Sequence, residues 1–482
     1  MAKKFYITTP IYYVNSVPHI GSAYTTIAAD IFARWHKMSG DKTFFLTGTD
    51  EHGAKVAAKA KEEGKEPQQF VNEIAAKYQA AWQNLNINYD RFVRTSEENH
   101  LKAVQTALQY MYNKGDIYQG RYEGLYCRGC EQFKSERDLI DGKCADHGTV
   151  PEKMSEDCYM FKLSKYQKKI LAKIKSGEFK ILPQEKKNEI IAFYEKEGLN
   201  DIAFSRKNVS WGIPLPWDKE QTAYVWADAF LNYLTGLGWD GSNPPTPLSK
   251  GGAGGLKFWP PSVQLMSKDI LRVHATIWPA MLLSLELPLP QALFIHGFLL
   301  VDSKKMSKSL GNVIKPEEMI KRYGVDGTRY LLISATPFGN DGDISWNKFD
   351  EKYNADLANG LGNLVARVSN LLEKNQIATD LSGEINKKLN KKVGQALADF
   401  RPDLVLSDLW LVLKKGDEKI SQEKPWQMED KNKIKKVLQP IAQNILDAAK
   451  ILEAFLPQTA EKIIKQFSQK IIKKEAGLFP RI

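Results

Sequence analysis

Phe5-Tyr6-Ile7-Thr8-Thr9, the run from Ile20 to Met38, and Thr43-Phe44-Phe45-Leu46 decide the fold. The first is β-branched and aromatic, which suits a strand. In the second, apolar residues recur at Ile27, Ile31, Phe32 and Trp35 before Gly40, the pattern of an amphipathic helix with a glycine stop. The third supplies another strand, which ends at Gly48. Strand, helix, strand within about 45 residues is a βαβ unit, the seed of a doubly wound parallel sheet. Such sheets bind ligands outside the carboxyl ends of their strands. Two polar clusters fall at that edge: Pro18-His19-Ile20-Gly21-Ser22 and Gly48-Thr49-Asp50-Glu51-His52-Gly53.

Outward from this seed, residues 117–222 interrupt the α/β rhythm with cysteines and tryptophan/proline turns, and read as an insertion. The expected division is a first Rossmann half over 1–116, a connective insertion over 117–222 and a second Rossmann half over 223–297. A loop and stem-contact region over 298–350 and an α-helical bundle domain over 351–482 complete it. Gly236–Gly255 is Gly/Pro/Ser-rich and reads as a surface loop. The 482-residue chain carries a formal net charge of +11, which fits a polyanionic partner such as nucleic acid. Residues 351–482 hold 23 Lys/Arg against 17 Asp/Glu, so the helical portion carries a large share of that excess.

The most apolar stretch, Ile277 to Val301, is broken by Pro279, Glu286, Pro288, Pro290 and His296, which argues against a bilayer span. The first ten residues lack the long apolar run of a signal peptide. A cytosolic location is therefore expected, where four cysteines point to metal or chemistry rather than disulfides. Cys127-Arg128-Gly129-Cys130 is followed after 13 residues by Cys144-Ala145-Asp146-His147. Two such knuckles offer three thiolates and an imidazole, a closed tetrahedral shell for one structural Zn²⁺ held by Cys127, Cys130, Cys144 and His147. Cys158 lies outside the pattern and reads as an ordinary thiol.

His19 and Ser22 stand at the first turn of the helix after Pro18, where free N–H groups and the helix dipole favour phosphate. An imidazole there can donate to phosphoryl oxygens as charge develops. Far downstream, Lys305-Met306-Ser307-Lys308-Ser309 follows the strand-like Phe298-Leu299-Leu300-Val301.

This pair of motifs resembles the signature pair of class I aminoacyl-tRNA synthetases, and within them the single-zinc form of the methionyl-tRNA synthetase family. The resemblance covers essentially the whole chain. It is carried by Thr9-Pro10-Ile11-Tyr12-Tyr13-Val14-Asn15, Gly48–Gly53, Tyr224-Val225-Trp226-Ala227-Asp228-Ala229, the knuckles, Trp211-Gly212-Ile213-Pro214 and Lys424-Pro425-Trp426. One departure stands out: Ser22 occupies the place where the family's first motif usually has a second histidine. A hydroxyl donates a hydrogen bond there but carries no charge.

The resemblance implies that ATP is held by His19, Gly21, Ser22 and Lys308, with His19, Lys305 and Lys308 as the catalytic groups. It implies that Asp50 holds the amine of methionine, that Ile11 and Tyr13 contribute from the first loop, and that Trp226, Ala229, Tyr233, Ile270 and His274 surround the side chain. These residues are spaced three and four apart, which puts each set on one face of a helix. An aromatic pocket with a small alanine floor also suits a flexible thioether. The implied reaction has two steps. Methionine's carboxylate attacks the α-phosphate of ATP-Mg²⁺, and the terminal ribose hydroxyl of tRNA(Met), initiator or elongator, then takes the methionyl group. The runner-up reading is another class I ligase or a related nucleotidyltransferase. The expected chain is a monomer with no membrane partner, because the dimerising module of some relatives is not present.

In the helical portion Leu357, Leu361, Leu364, Val368 and Leu371 form one stripe, while Asn359, Asn363 and Arg367 recur every four residues on another face. Amide and guanidinium groups suit the edges of unstacked bases, and Trp426 offers a stacking platform. The resemblance assigns anticodon binding to Asn359, Asn363, Arg367 and Trp426.

Overall fold

The structure is a computed structural model, and it describes residues 2–127, 132–134, 139–144, 148–207, 209–241, 256–306 and 311–482. The chain divides into two compact units. One comprises residues 1–17, 42–79 and 89–295, and the other 18–41, 80–88 and 296–482. The helix expected inside the first Rossmann half thus groups with the C-terminal part of the chain, and the first half is shared between the units.

The first unit is built on strands β1 (Lys4–Tyr13), β2 (Lys42–Asp50), β3 (Arg91–Arg94), β4 (Ile117–Cys127), β5 (Glu152–Phe161), β6 (Lys180–Leu182), β7 (Val263–Ser267) and β8 (Ala292–His296). Six of these form one sheet in the order β3-β2-β1-β7-β8-β6. The pairs β1–β2, β2–β3, β1–β7 and β8–β6 are all parallel. The order reverses between β1 and β7, the switch point where an open α/β sheet makes its binding crevice.

β1 is longer than the Phe5–Thr9 stretch suggests. A register shift between Thr8 and Ile11 absorbs Pro10, and pairing with β2 resumes through Tyr13. Such an irregularity is how a strand accommodates a residue that lacks an N–H. Ile11 and Tyr13 are therefore strand residues rather than loop residues. β6 comes from the middle of the stretch read as an insertion, so part of that stretch belongs to the central sheet. The rest of it includes the antiparallel pair β4–β5, which runs in register from Ile117↔Phe161 to Tyr126↔Glu152. A buried core containing Tyr6, Leu46, Val93, Phe230, Tyr233, Met266, Trp278 and Ile295 underlies the unit.

The second unit contains α1 (Ile20–Met38). It also contains a small sheet of β9 (Leu299–Val301), β10 (Lys304–Lys305) and β11 (Gly342–Ile344), in the order β10-β9-β11. The remainder is helical, from Pro316 onward. Leu357, Leu361, Leu364, Val368 and Leu371 are all buried, as their stripe requires. The segment Tyr353–Gly362 that begins the stripe is not α-helical but π-helical. A Cβ on Gly360 or Gly362 would lie 3.1 or 3.0 Å from the carbonyl oxygen of Ala355 or Leu357, five residues earlier in each case. Glycine at these positions lets the wider turn close. Among the described residues no helix is long and apolar enough to cross a membrane.

Candidate active site

At the carboxyl end of the first unit's sheet, β1 and β2 bring Tyr13 directly opposite Asp50 and Ile11 opposite Gly48. Asp50 is buried, and the Lys55 ammonium lies 5.8 Å from the centre of the Tyr13 ring. The loop after Asp50 is held on several sides. The Glu51 carboxylate accepts from Arg94 Nε at 2.7 Å, from Arg94 Nη2 at 2.9 Å and from Thr49 Oγ1 at 2.6 Å. Ser96 also donates to it. From another side Trp211 Nε1 donates to the Glu51 carbonyl at 2.5 Å, and the Gly53 N–H donates back to the Trp211 carbonyl at 3.0 Å. The Glu51 carboxylate is thereby occupied, His52 Nδ1 lies 2.7 Å from Asp228 Oδ2, and no metal cluster forms among the described residues.

Trp226, Ala229 and Tyr233 do not share one helix. Val225–Ala229 and Asn232–Thr235 are two short helices broken at Phe230 and Leu231. They nevertheless deliver Trp226 and Tyr233 to His274, at ring separations of 6.3 and 6.0 Å. Ile270 precedes the helix Leu271–Ser284, and its carbonyl oxygen lies 2.9 Å from His274 Nδ1. A carbonyl only accepts, so Nδ1 carries the proton and Nε2 accepts from the Tyr233 hydroxyl at 2.9 Å. Burial drives the His274 pKa down to about 4, although the Ile270 carbonyl and Asp269 oppose the shift.

Two further aromatic groups complete this wall. Phe230 packs edge-on to His274 at 4.9 Å and stacks on Trp278 at 5.5 Å. The Trp226 indole N–H is buried with no hydrogen-bond partner among the described residues. An orphaned buried donor costs about 1–3 kcal/mol unless something satisfies it.

In the second unit His19 is the N-cap of α1, and its Nδ1 accepts from the Gly21 N–H at 3.0 Å. The proton then resides on Nε2, the nitrogen left as a donor. Ser22 completes a capping box: its hydroxyl donates to the His19 carbonyl at 2.7 Å and accepts from the His19 N–H at 3.1 Å. The hydroxyl that replaces the second histidine thus serves the helix end. A Cβ on Gly21 would meet the His19 ring at 2.8 Å and Met306 Cε at 3.5 Å, so the two distant motifs come together here. The Ile20 N–H donates to the Ile314 carbonyl at 3.0 Å, which ties the same helix start to the segment after the second motif. Lys305 lies on β10 opposite Leu300. Its side chain and all of Lys308 lie outside the described residues. His296, which in the sequence reads only as a break in the apolar stretch, accepts from Thr25 Oγ1 at 2.7 Å through Nε2, because its Nδ1 donates to the Gly297 carbonyl.

Of the knuckle residues, Cys127 ends β4 and Cys144 ends the short strand Lys143–Cys144, and both are buried. The Gly148 N–H donates to the Cys144 carbonyl at 2.7 Å. Cys130 and His147 lie outside the described residues. Cys158 is a buried free thiol whose pKa burial pushes up to about 11. That makes it an inert packing group.

In the helical portion Asn359 and Asn363 are exposed, while Arg367 is half-buried. The Arg367 guanidinium lies 5.5 Å from the Trp426 ring centre and is pinned by Asp417 at 2.6 Å. Trp426 itself is 48% exposed. Asn359 sits inside the π-helical stretch, where a four-residue repeat drifts off one face. It lines a cavity of about 720 Å³ together with Tyr330, Asp356, Trp410 and Lys414. The structure therefore pairs Arg367 with Trp426, and Asp417, which pins Arg367, lines the same cavity as Asn359.

The model of the family described as tRNA synthetases class I (M) matches residues 5–146 and 134–369. The methionine–tRNA ligase of Clostridium acetobutylicum is 41% identical, over 97% of this chain and 73% of its own length. That of Thermosynechococcus vestitus is 40% identical, over 98% of this chain and 91% of its own. Among solved structures, Mycobacterium tuberculosis methionyl-tRNA synthetase in complex with methionyl-adenylate superposes with a TM-score of 0.92 at 33% identity. That match covers 99% of this chain and 100% of the other. With its parallel sheet, its paired motifs and these matches along nearly its whole length, the chain belongs to the methionyl-tRNA synthetase family of class I.

Proposed function

We propose that the Asp50, Trp226, Tyr233 and His274 cluster is the methionine site of this class I methionine–tRNA ligase, and that the His19 turn is its ATP phosphate site. The enzyme activates methionine with ATP to methionyl-adenylate and transfers the methionyl group to tRNA. Tyr13 facing Asp50 across the paired strand ends is the observation that carries the site reading: it puts a carboxylate where a substrate amine can be held beside an aromatic group. Ile11, Ala229 and Ile270 complete the apolar surround. The buried Trp226 N–H, unpartnered among the described residues, supports a ligand-facing role for that ring.

No side chain acts as a nucleophile in this scheme, so catalysis is positioning plus charge stabilisation. His19, protonated on Nε2, donates to phosphoryl oxygens. Gly21 leaves room for the His19 ring to cap the helix, and Ser22 holds the first turn of α1 in shape. Lys305 and Lys308 neutralise the departing pyrophosphate. Mg²⁺, when bound with ATP, adds charge neutralisation at the phosphates. Cys127, Cys130, Cys144 and His147 hold one structural Zn²⁺. Two buried thiol groups at strand ends are the soft donors that ion prefers. Asn359, Asn363, Arg367 and Trp426 contact the anticodon of tRNA(Met), initiator and elongator alike. The anticodon role belongs to the helical portion over 351–482, and the protein acts as a cytosolic monomer.

The site reading is tested by pyrophosphate exchange with Trp226→Ala. Losing this half-buried aromatic ring should raise the KM for methionine by roughly tenfold or more while the KM for ATP stays put, a loss of about 1.4 kcal/mol of binding. An unchanged methionine KM would remove Trp226 from the pocket.

A further inference from the structure

We infer that Asp228, clasped between His52 and His100, is a positioning residue that locks the amine-binding half of the methionine site to its side-chain half. The inference rests on the site reading above. Three segments remote in sequence meet at this carboxylate. His52 Nδ1 donates to Asp228 Oδ2 at 2.7 Å from the loop after β2. His100 Nε2 donates to Asp228 Oδ1 at 2.8 Å from the helix Glu98–Asn113. With Nε2 protonated, His100 Nδ1 accepts from Thr235 Oγ1 at 2.8 Å, on the second of the two short helices.

The groups are thoroughly buried, with Asp228 at 1%, His100 at 0% and His52 at 5% exposure. A carboxylate at such a place is costly unless its oxygens are satisfied, and here each oxygen takes an imidazole N–H. Burial alone would raise the Asp228 pKa, but His52 and His100 overcome it and hold the group at about 2. The group is therefore a fixed carboxylate across the working range of pH.

The location gives the cluster its consequence. Asp228 sits two residues after Trp226 and next to Ala229, and His52 sits two residues after Asp50. The loop carrying Asp50 is independently braced by Arg94, Ser96 and Trp211 through Glu51. The short helix carrying Trp226 has only five residues, too few for autonomous stability. The Asp228 carboxylate registers that helix against the braced loop. A fully satisfied buried network supplies such fixed geometry, and displacements near 1 Å at a site carry large kinetic penalties.

The test compares pyrophosphate-exchange kinetics and melting temperatures of wild type, Asp228→Asn, His52→Asn, His52→Ala and Asp50→Asn. In His52→Asn the side-chain amide nitrogen stands where the imidazole Nδ1 stood, so this variant keeps the donor to Asp228, whereas His52→Ala removes it. Asp228→Asn and His52→Ala should raise the methionine KM about tenfold, while the ATP KM changes by less than about twofold. His52→Asn should stay near wild type in both. A lowered melting temperature with unchanged methionine KM in Asp228→Asn, or equal behaviour of His52→Asn and His52→Ala, would overturn the inference. Should Asp228→Asn fail to fold, the two His52 variants decide alone. Asp50→Asn separates the two levels. If it too leaves the methionine KM unchanged, the site reading itself falls. If it alone raises that KM, only the positioning role falls.

Discussion

His274 shows how one side chain couples pocket chemistry to stability. Its folded pKa of about 4 lies below the ordinary histidine value of 6.5 because burial penalises the imidazolium. Between those values the unfolded chain binds a proton that the folded chain refuses. Stability therefore falls as pH drops from about 6.5 toward 4, and the loss is complete near the folded pKa. The two values imply a loss on the order of 3 kcal/mol. His274→Asn retains a donor toward the Ile270 carbonyl but does not titrate. Denaturant unfolding at pH 7.5 and pH 5 should show a clearly smaller acid-side loss in the variant than in wild type. Equal losses would mean that His274 titrates freely in the folded protein. The same residue shows what spacing reveals and what it hides. The four-residue step from Ile270 to His274 is legible in the sequence, and their hydrogen bond follows from it. The Tyr233 hydroxyl that meets Nε2 lies 41 residues upstream, on a helix whose break at Phe230 no periodicity announces. Phe230 and Trp278 are hidden for the same reason, since in sequence they look like core and only tertiary packing turns them toward His274.

At the scale of the element, α1 runs from Ile20 to Met38, as its apolar spacing and glycine stop suggest. Local signals set both of its ends, which is why the sequence reading succeeds there. β1 reads too short in sequence because Pro10 looks like a terminator, and only its partner strand can carry it through the irregularity to Tyr13. The π-helical segment Tyr353–Gly362 reads as α-helix, since a buried leucine stripe persists through either pitch over so short a run. Beyond it Arg367 pairs with Trp426, while Asn359 within it lines a cavity with Asp417. Trp426 is half-exposed and so contributes little to the core. Trp426→Ala should leave pyrophosphate exchange nearly intact while transfer to tRNA falls, because one stacking platform is worth roughly 1–3 kcal/mol. Parallel losses in both assays would make Trp426 a folding residue.

Across the molecule, the parallel sheet and the helical C-terminal portion could be read from pattern alone, whereas the division into units could not. Helix α1 follows β1 in sequence but groups with residues 296–482, and β6 leaves the apparent insertion to finish the sheet beside β8. Both are choices of long-range packing that local signals do not encode. The proposed zinc site belongs to this scale as well, since Cys127 and Cys144 stand at the ends of two separate strands. Protein purified without chelator should contain one zinc per chain, and Cys144→Ala should lower that content. A metal-free preparation with full activity would rule the site out.

A methionine–tRNA ligase activates methionine in preference to every other amino acid. Amino-acid-dependent ATP–pyrophosphate exchange, run with each of the twenty amino acids in turn, tests this selectivity. Methionine should support exchange at least about a hundredfold more efficiently than any other, as a pocket with dedicated polar and aromatic contacts allows. Stronger exchange with a different amino acid, or none with methionine, would contradict it.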